Sequence, residues 1–76
     1  MPDKNQWEAK AQGILKGELK RRGVTYAQLV DRLGEIGVSE TEPNIRNKLA
    51  RGKFTAAFFL ECLGAIGCQV VRLDDA

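Results

Sequence analysis

Histidine is absent from the 76 residues, and with it the commonest general base in enzymes. Only two cysteines occur, Cys62 and Cys68, and two thiols without histidine cannot complete a zinc site. No glycine-rich loop is spaced to cradle a phosphate, and the carboxylates are scattered; Glu61, alone in an apolar segment, is interpreted as a rim or ion-paired residue. We therefore expect that the chain is not an enzyme and that it binds no metal, cofactor or small-molecule substrate.

Long hydrophobic runs are also missing. No stretch approaches the ~20 apolar residues needed to cross a membrane, and the polar residues 1–10 lack the features of a signal peptide. Cys62 and Cys68 lie in an apolar segment and are interpreted as small buried hydrophobes rather than a disulfide. Reduced thiols fit a cytoplasmic location, which we expect.

What the chain does contain fits one small domain spanning residues 1–76. Its 43% hydrophobic content is enough for a single core. The net charge of +2 results from 12 basic and 10 acidic residues. That total says little about nucleic acid, for which the clustering of charge is decisive.

Two helices are predicted in the first half, over residues 5–22 and 26–36. Thr25 and Gln28 form a capping box that begins the second helix, and Gly34 or Gly37 ends it. Gly13 and Gly17 lie on one face of the first helix, where we expect another helix to approach closely. The apolar stripe of the first helix comprises Trp7, Ala11, Ile14, Leu15 and Leu19.

A third helix is predicted over residues 42–51. Ser39 and Thr41 are both candidate N-caps, and Thr41 is preferred because it places Pro43 in the first turn. Gly52 ends this helix.

The fourth predicted helix, residues 56–66, begins at Thr55 and is apolar on nearly all sides. We expect a homodimer in which Phe58, Cys62 and Ala65 contact a second copy; the alternative is that the first helix and the tail cover them within one chain. Residues 69–73, including Val70, favour a short strand that pairs with the same segment of a second copy.

The third helix carries the most informative chemistry. With Ile45 and Leu49 facing inward, amides and cations share the outward face. Amides can read adenine, and basic side chains can read guanine or neutralise phosphate, so this helix suits the DNA major groove. The alternative is an ordinary solvated face. The outward residues are Asn44, Asn47, Lys48 and Arg51.

The order of three segments resembles the lambda-repressor-like helix-turn-helix domains. They are LKRRG (residues 19–23), TYAQLVDRLG (residues 25–34) and IRNKLARGK (residues 45–53). The stretches NIRNKL and AAFFL, at residues 44–49 and 56–60, also resemble a family of small uncharacterised bacterial domains. The resemblance implies a compact all-α fold of four helices with a short extended C-terminal tail, and double-stranded DNA as partner.

The same resemblance implies a role for each matching residue. Tyr26 would contact a phosphate, and Arg51 and Lys53 would hold phosphates around Gly52. The residues facing bases would be Asn44, Asn47 and Lys48.

Two departures from the repressor pattern stand out. Val30 occupies the helix crossing, where the class has a small alanine. The connection between helices two and three is also longer than three or four residues, and it brings Glu40 and Glu42 to the end of the helix that would enter the groove.

The favoured hypothesis is a small bacterial DNA-binding protein acting as a dimeric transcription regulator or accessory factor. The alternative is a protein-interaction module that keeps the fold without binding DNA. RNA binding is a third hypothesis, disfavoured because Tyr26 is the only aromatic residue close to the basic face.

Overall fold

A computed structural model describes residues 6–73. The predicted start of the first helix at residue 5 lies outside this range, as do residues 1–5 and 74–76 of the predicted domain. Within residues 6–73 the chain forms four α-helices and no strand, so the predicted all-α class is confirmed. The helices are α1 (Gln6–Arg22), α2 (Tyr26–Glu35), α3 (Glu42–Arg51) and α4 (Ala56–Ala65).

Threonine side chains begin the last three helices. The Thr25 hydroxyl accepts a hydrogen bond from the Gln28 backbone N–H at 3.1 Å, and the Gln28 side chain accepts one from the Thr25 N–H at 2.9 Å. Thr41 caps α3, with Pro43 in its first turn, and Thr55 caps α4. Each cap satisfies a backbone donor that the helix cannot, which stabilises the helix by about 1 kcal/mol.

Glycines with positive φ end three of the helices in the same way. Gly23, Gly37 and Gly67 have φ of 67°, 85° and 80°, and the next residue bonds back to the carbonyl five positions earlier. Gly37 rather than Gly34 therefore ends α2. The bonds run from Val24 N to Leu19 O, Val38 N to Leu33 O and Cys68 N to Leu63 O, at 2.9, 2.9 and 2.8 Å.

The core lies where α4 packs against α1 and α2 while α3 packs against the same two helices. Phe58 and Cys62 belong to this core, because α1 and α2 cover that side of α4. Two of the side chains expected to meet a second copy are thus covered within one chain, whereas Ala65 is half-buried and Val70 is exposed. The core comprises Leu15, Leu19, Val24, Leu29, Leu33, Ile45, Leu49, Phe58, Cys62, Leu63, Ile66 and Cys68.

The glycines within α1 do not serve as a helix-packing face, contrary to expectation. A Cβ added at Gly13 would meet nothing within 4 Å, and one at Gly17 would meet only the Arg21 guanidinium. The chain leaves this side of α1 as an open cleft, bordered by Val70 and Arg72 of the tail.

The tail does not form the predicted strand at residues 69–73. Its β-branched residues favour extended backbone, but a strand needs a neighbour, and no strand exists among the described residues to supply one. Val71 packs against the core, whereas Val70 is exposed.

Candidate nucleic-acid interface

The α3 helix has one buried and one exposed face. Ile45 and Leu49 are fully buried, which fixes the rotation of the helix. Three of the predicted contact residues, Asn44, Asn47 and Arg51, are exposed. Because residues three, four and seven positions apart share a helical face, two amides and a guanidinium lie along one outward strip.

Lys48 lies on the flank of α3 rather than on this strip. Its Nζ is 2.5 Å from Glu40 Oε2 and 4.4 Å from the centroid of the Phe58 ring. The Lys48 side chain is 38% exposed and that of Glu40 is 11% exposed. The structure thus places the cation expected at a base edge in an ion pair and a cation–π contact.

Arg46 joins the start of α2 to α3. Its guanidinium pairs with Glu42 at 2.8 Å and lies 5.9 Å from the centroid of the Tyr26 ring. Tyr26 is half-buried against the core. Tyr26 and α3 therefore form one surface, connected through a residue that was not among the predicted contacts.

Two lysines of α1 approach the same place. Lys16 and Lys20 line a shallow depression together with Thr25 and Tyr26. The first turn of α2 contains no acidic residue. Positive charge therefore lies beside Tyr26, where the helix dipole also favours an anion.

The far end of α3 carries the remaining predicted cations. Arg51 is exposed in the last turn, and Lys53 is exposed just after Gly52. Neither has an ion pair with another residue of the described range 6–73. Both acidic residues near the start of α3, Glu40 and Glu42, are paired with cations of α3.

The end of α3 is fixed by α1 and by a glycine. The Gln12 side-chain amide donates to the Leu49 carbonyl at 2.5 Å and contacts the Ala50 carbonyl at 3.5 Å. Gly52, with φ of 69°, ends the helix, and its N–H bonds to the Lys48 carbonyl. The position of the outward strip relative to α1 is therefore determined by specific contacts.

Sequence reasoning overlooked Arg46 and the Lys16–Lys20 pair. The four-residue spacing of Glu42 and Arg46 indicates an ion pair, but only the packed fold shows Tyr26 below it. Lys16 and Lys20 lie on α1, and the turn after α1 separates them from Tyr26. No local sequence pattern predicts that the two lysines approach the Tyr26 side chain.

The four residues predicted to form a dimer contact differ from one another in exposure. Phe58 and Cys62 are buried, Ala65 is half-buried and Val70 is 73% exposed. The exposed face of α4 instead presents Leu60, at 64% exposure.

Burial raises the pKa of the Cys62 thiol to about 12, and the charges of Glu40 and Glu61 add to the effect. Such a thiol is inert as a nucleophile. Among the described residues, no three histidine, cysteine, aspartate or glutamate side chains are grouped to hold a metal ion. Within residues 6–73, every helix is too short or too polar to cross a membrane.

Residues 6–73 form a small all-α domain of four helices, with threonine caps on the last three and a polar strip on the third. The chain belongs to the family described as Domain of unknown function (DUF6471), whose model matches residues 7–71, nearly the whole described range. Comparison with curated proteins and with solved structures gives no match.

Proposed function

We propose that this chain is a DNA-binding domain of the lambda-repressor-like helix-turn-helix class, in which α3 enters the major groove. The supporting observation is the outward strip of α3, where Asn44, Asn47 and Arg51 are exposed while Ile45 and Leu49 anchor the helix. Exposed amides can bond bidentately to adenine edges.

The distribution of charge around α3 supports this orientation. Tyr26, with Lys16 and Lys20 beside it, contacts Arg46 in the middle of the helix, and Arg51 and Lys53 lie at its C-terminal end. A ten-residue helix is about 15 Å long, comparable to the ~12 Å width of the major groove. The cations beside Tyr26 and at the C-terminal end would meet phosphates while the exposed amides face bases.

The long connection between α2 and α3 is compatible with this role because it is anchored. Val38 packs against the core, and Glu40 is bound to Lys48. The connection is therefore tied to the core at Val38 and to α3 at Glu40.

As a transcription regulator or accessory factor, the protein would bind as a homodimer, with half-sites about 34–36 Å apart. Since Phe58 and Cys62 are buried, the contact would use the exposed face of α4 around Leu60. A Leu60→Asp variant should then lower the mass in sedimentation experiments while remaining folded. An unchanged mass would exclude this face.

The direct test compares Arg51→Gln with Arg32→Gln, a control at an exposed arginine in the last turn of α2. Loss of one phosphate contact should lower the salt slope of duplex binding by about 0.9 for Arg51→Gln only. Equal slopes for Arg51→Gln and the wild type would contradict the proposed orientation.

A protein-interaction module is the second candidate. It is favoured by two large exposed hydrophobic side chains, Trp7 at 66% and Leu60 at 64%. Under this alternative, Arg51→Gln would leave the affinity for the partner protein unchanged, whereas Leu60→Asp would abolish association with that partner.

A further inference from the structure

Among the ion pairs of residues 6–73, that of Glu40 joins two segments, whereas Glu18 and Glu42 pair within their own helices. Glu40 lies in the α2–α3 connection, eight residues before its partner Lys48, and its side chain is only 11% exposed. A carboxylate this far removed from water depends on its partner more than an exposed one, because an unpaired buried charge is costly.

Lys48 is held by a second contact as well. Its ammonium lies 4.4 Å from the centroid of the Phe58 ring, and Phe58 is buried in the core. Moving the ammonium to a DNA phosphate would therefore break an ion pair and a cation–π contact together, leaving the Glu40 carboxylate unpaired.

The pair between Glu42 and Arg46 is more exposed and lies within one helix, although Arg46 also contacts an aromatic ring, that of Tyr26 at 5.9 Å. Both side chains lie on α3 four residues apart, and they are 43% and 56% exposed. Exposed pairs of this type contribute little, so a phosphate can replace the carboxylate at Arg46 with little loss.

We propose that Glu40 acts as an internal substitute for a DNA phosphate at Lys48 and so withholds this cation from DNA. The inference rests on the proposed function. Non-specific affinity comes from cations that neutralise phosphates, and withholding one cation lowers it. Recognition then depends more on the amides of Asn44 and Asn47, which increases discrimination between sequences.

The test measures the salt dependence of binding to a random-sequence duplex by fluorescence anisotropy. Lys48→Gln should leave the salt slope of the wild type unchanged, whereas Arg46→Gln should lower it by about 0.9. Glu40→Gln should raise the slope by about 0.9, which corresponds to about eightfold tighter binding at 0.1 M salt. The double variant Glu40→Gln with Lys48→Gln should return to the wild-type slope.

Thermal unfolding of each variant provides the control for folding. Should Glu40→Gln not fold, Lys48→Gln, whose amide can still donate to the Glu40 carboxylate, compared with Arg46→Gln decides the matter without any change at Glu40. A slope lowered equally by the Lys48 and Arg46 variants would overturn the inference while leaving the proposed function intact. Absence of binding by the wild type and every variant would overturn the proposed function, and the inference with it.

Discussion

The bond from α1 to the end of α3 can be tested with a substitution that keeps the shape of the side chain. The Gln12 amide donates to the Leu49 carbonyl, in the last turn of α3. Gln12→Glu replaces this donor with a carboxylate that only accepts, and it places negative charge at the negative end of the helix dipole.

The expected magnitude follows from these two effects. Loss of the hydrogen bond costs about 1 kcal/mol, as Gln12→Ala should show alone. Charge at the helix end adds up to about 1 kcal/mol for Gln12→Glu. For a domain of this size, about 1 kcal/mol corresponds to a Tm decrease of about 4–8 °C. Gln12→Glu should therefore lower the Tm roughly twice as much as Gln12→Ala.

Circular dichroism melts at pH 7 and at about pH 4 would measure the Tm of the wild type and of both Gln12 variants. A protonated carboxyl can donate as the amide does, so the deficit of Gln12→Glu relative to the wild type should shrink as the pH falls toward about 4.3, the ordinary pKa of a glutamate, and be smallest below it. A Gln12→Glu protein as stable as the wild type at pH 7 would refute the proposed bond to α3.

Three further predictions concern the elements that support the site. Thr25→Ala, which removes the capping box of α2, should lower the free energy of unfolding by about 1 kcal/mol in urea titrations, and no change would contradict the cap. Gly52→Ala should destabilise by about 1–2 kcal/mol because its φ is 69°, whereas Gly13→Ala, in open helix, should stabilise by about 0.5–1 kcal/mol; the same sign for both would refute the argument. The Cys62 thiol, whose pKa burial raises to about 12, should resist iodoacetamide at pH 8 until the protein is unfolded, and rapid labelling of native protein would show that it is accessible.

The helix ends could be predicted from sequence because their signals are local. The threonine hydroxyls of Thr25, Thr41 and Thr55 bond to backbone groups three residues later, and Gly23 and Gly37 supply the left-handed residue after a helix. None of these contacts depends on how the helices pack.

The buried side of α4 could not be predicted in the same way. Ala56–Ala65 contains one charged residue, Glu61, so its periodicity favours no face. Packing of α1 and α2 decides that Phe58 and Cys62 are buried and that Leu60 is exposed. Phe58 and Cys62, expected from the sequence to contact a second copy, thus lie in the core of one chain.

The direction of Lys48 likewise depends on tertiary structure. On a helical wheel it lies next to Asn44 and Asn47 as well as to the core, and both orientations fit its spacing. Its observed direction is determined by Glu40 in the connection and by the Phe58 ring of α4, two contacts that form only when these segments pack. The strand expected at residues 69–73 relied on pairing with the same segment of a second copy, and within one chain no strand forms among the described residues.

The proposed function requires the surface of α3 to bind double-stranded DNA. Fluorescence anisotropy of a labelled random duplex, titrated with the protein at low and then at physiological salt, measures this binding. We expect binding in the non-specific range of roughly 10⁻⁴ to 10⁻⁶ M that weakens steeply as salt rises. Absence of binding at low salt would contradict it and would mean that Asn44, Asn47 and Arg51 form only a solvated surface.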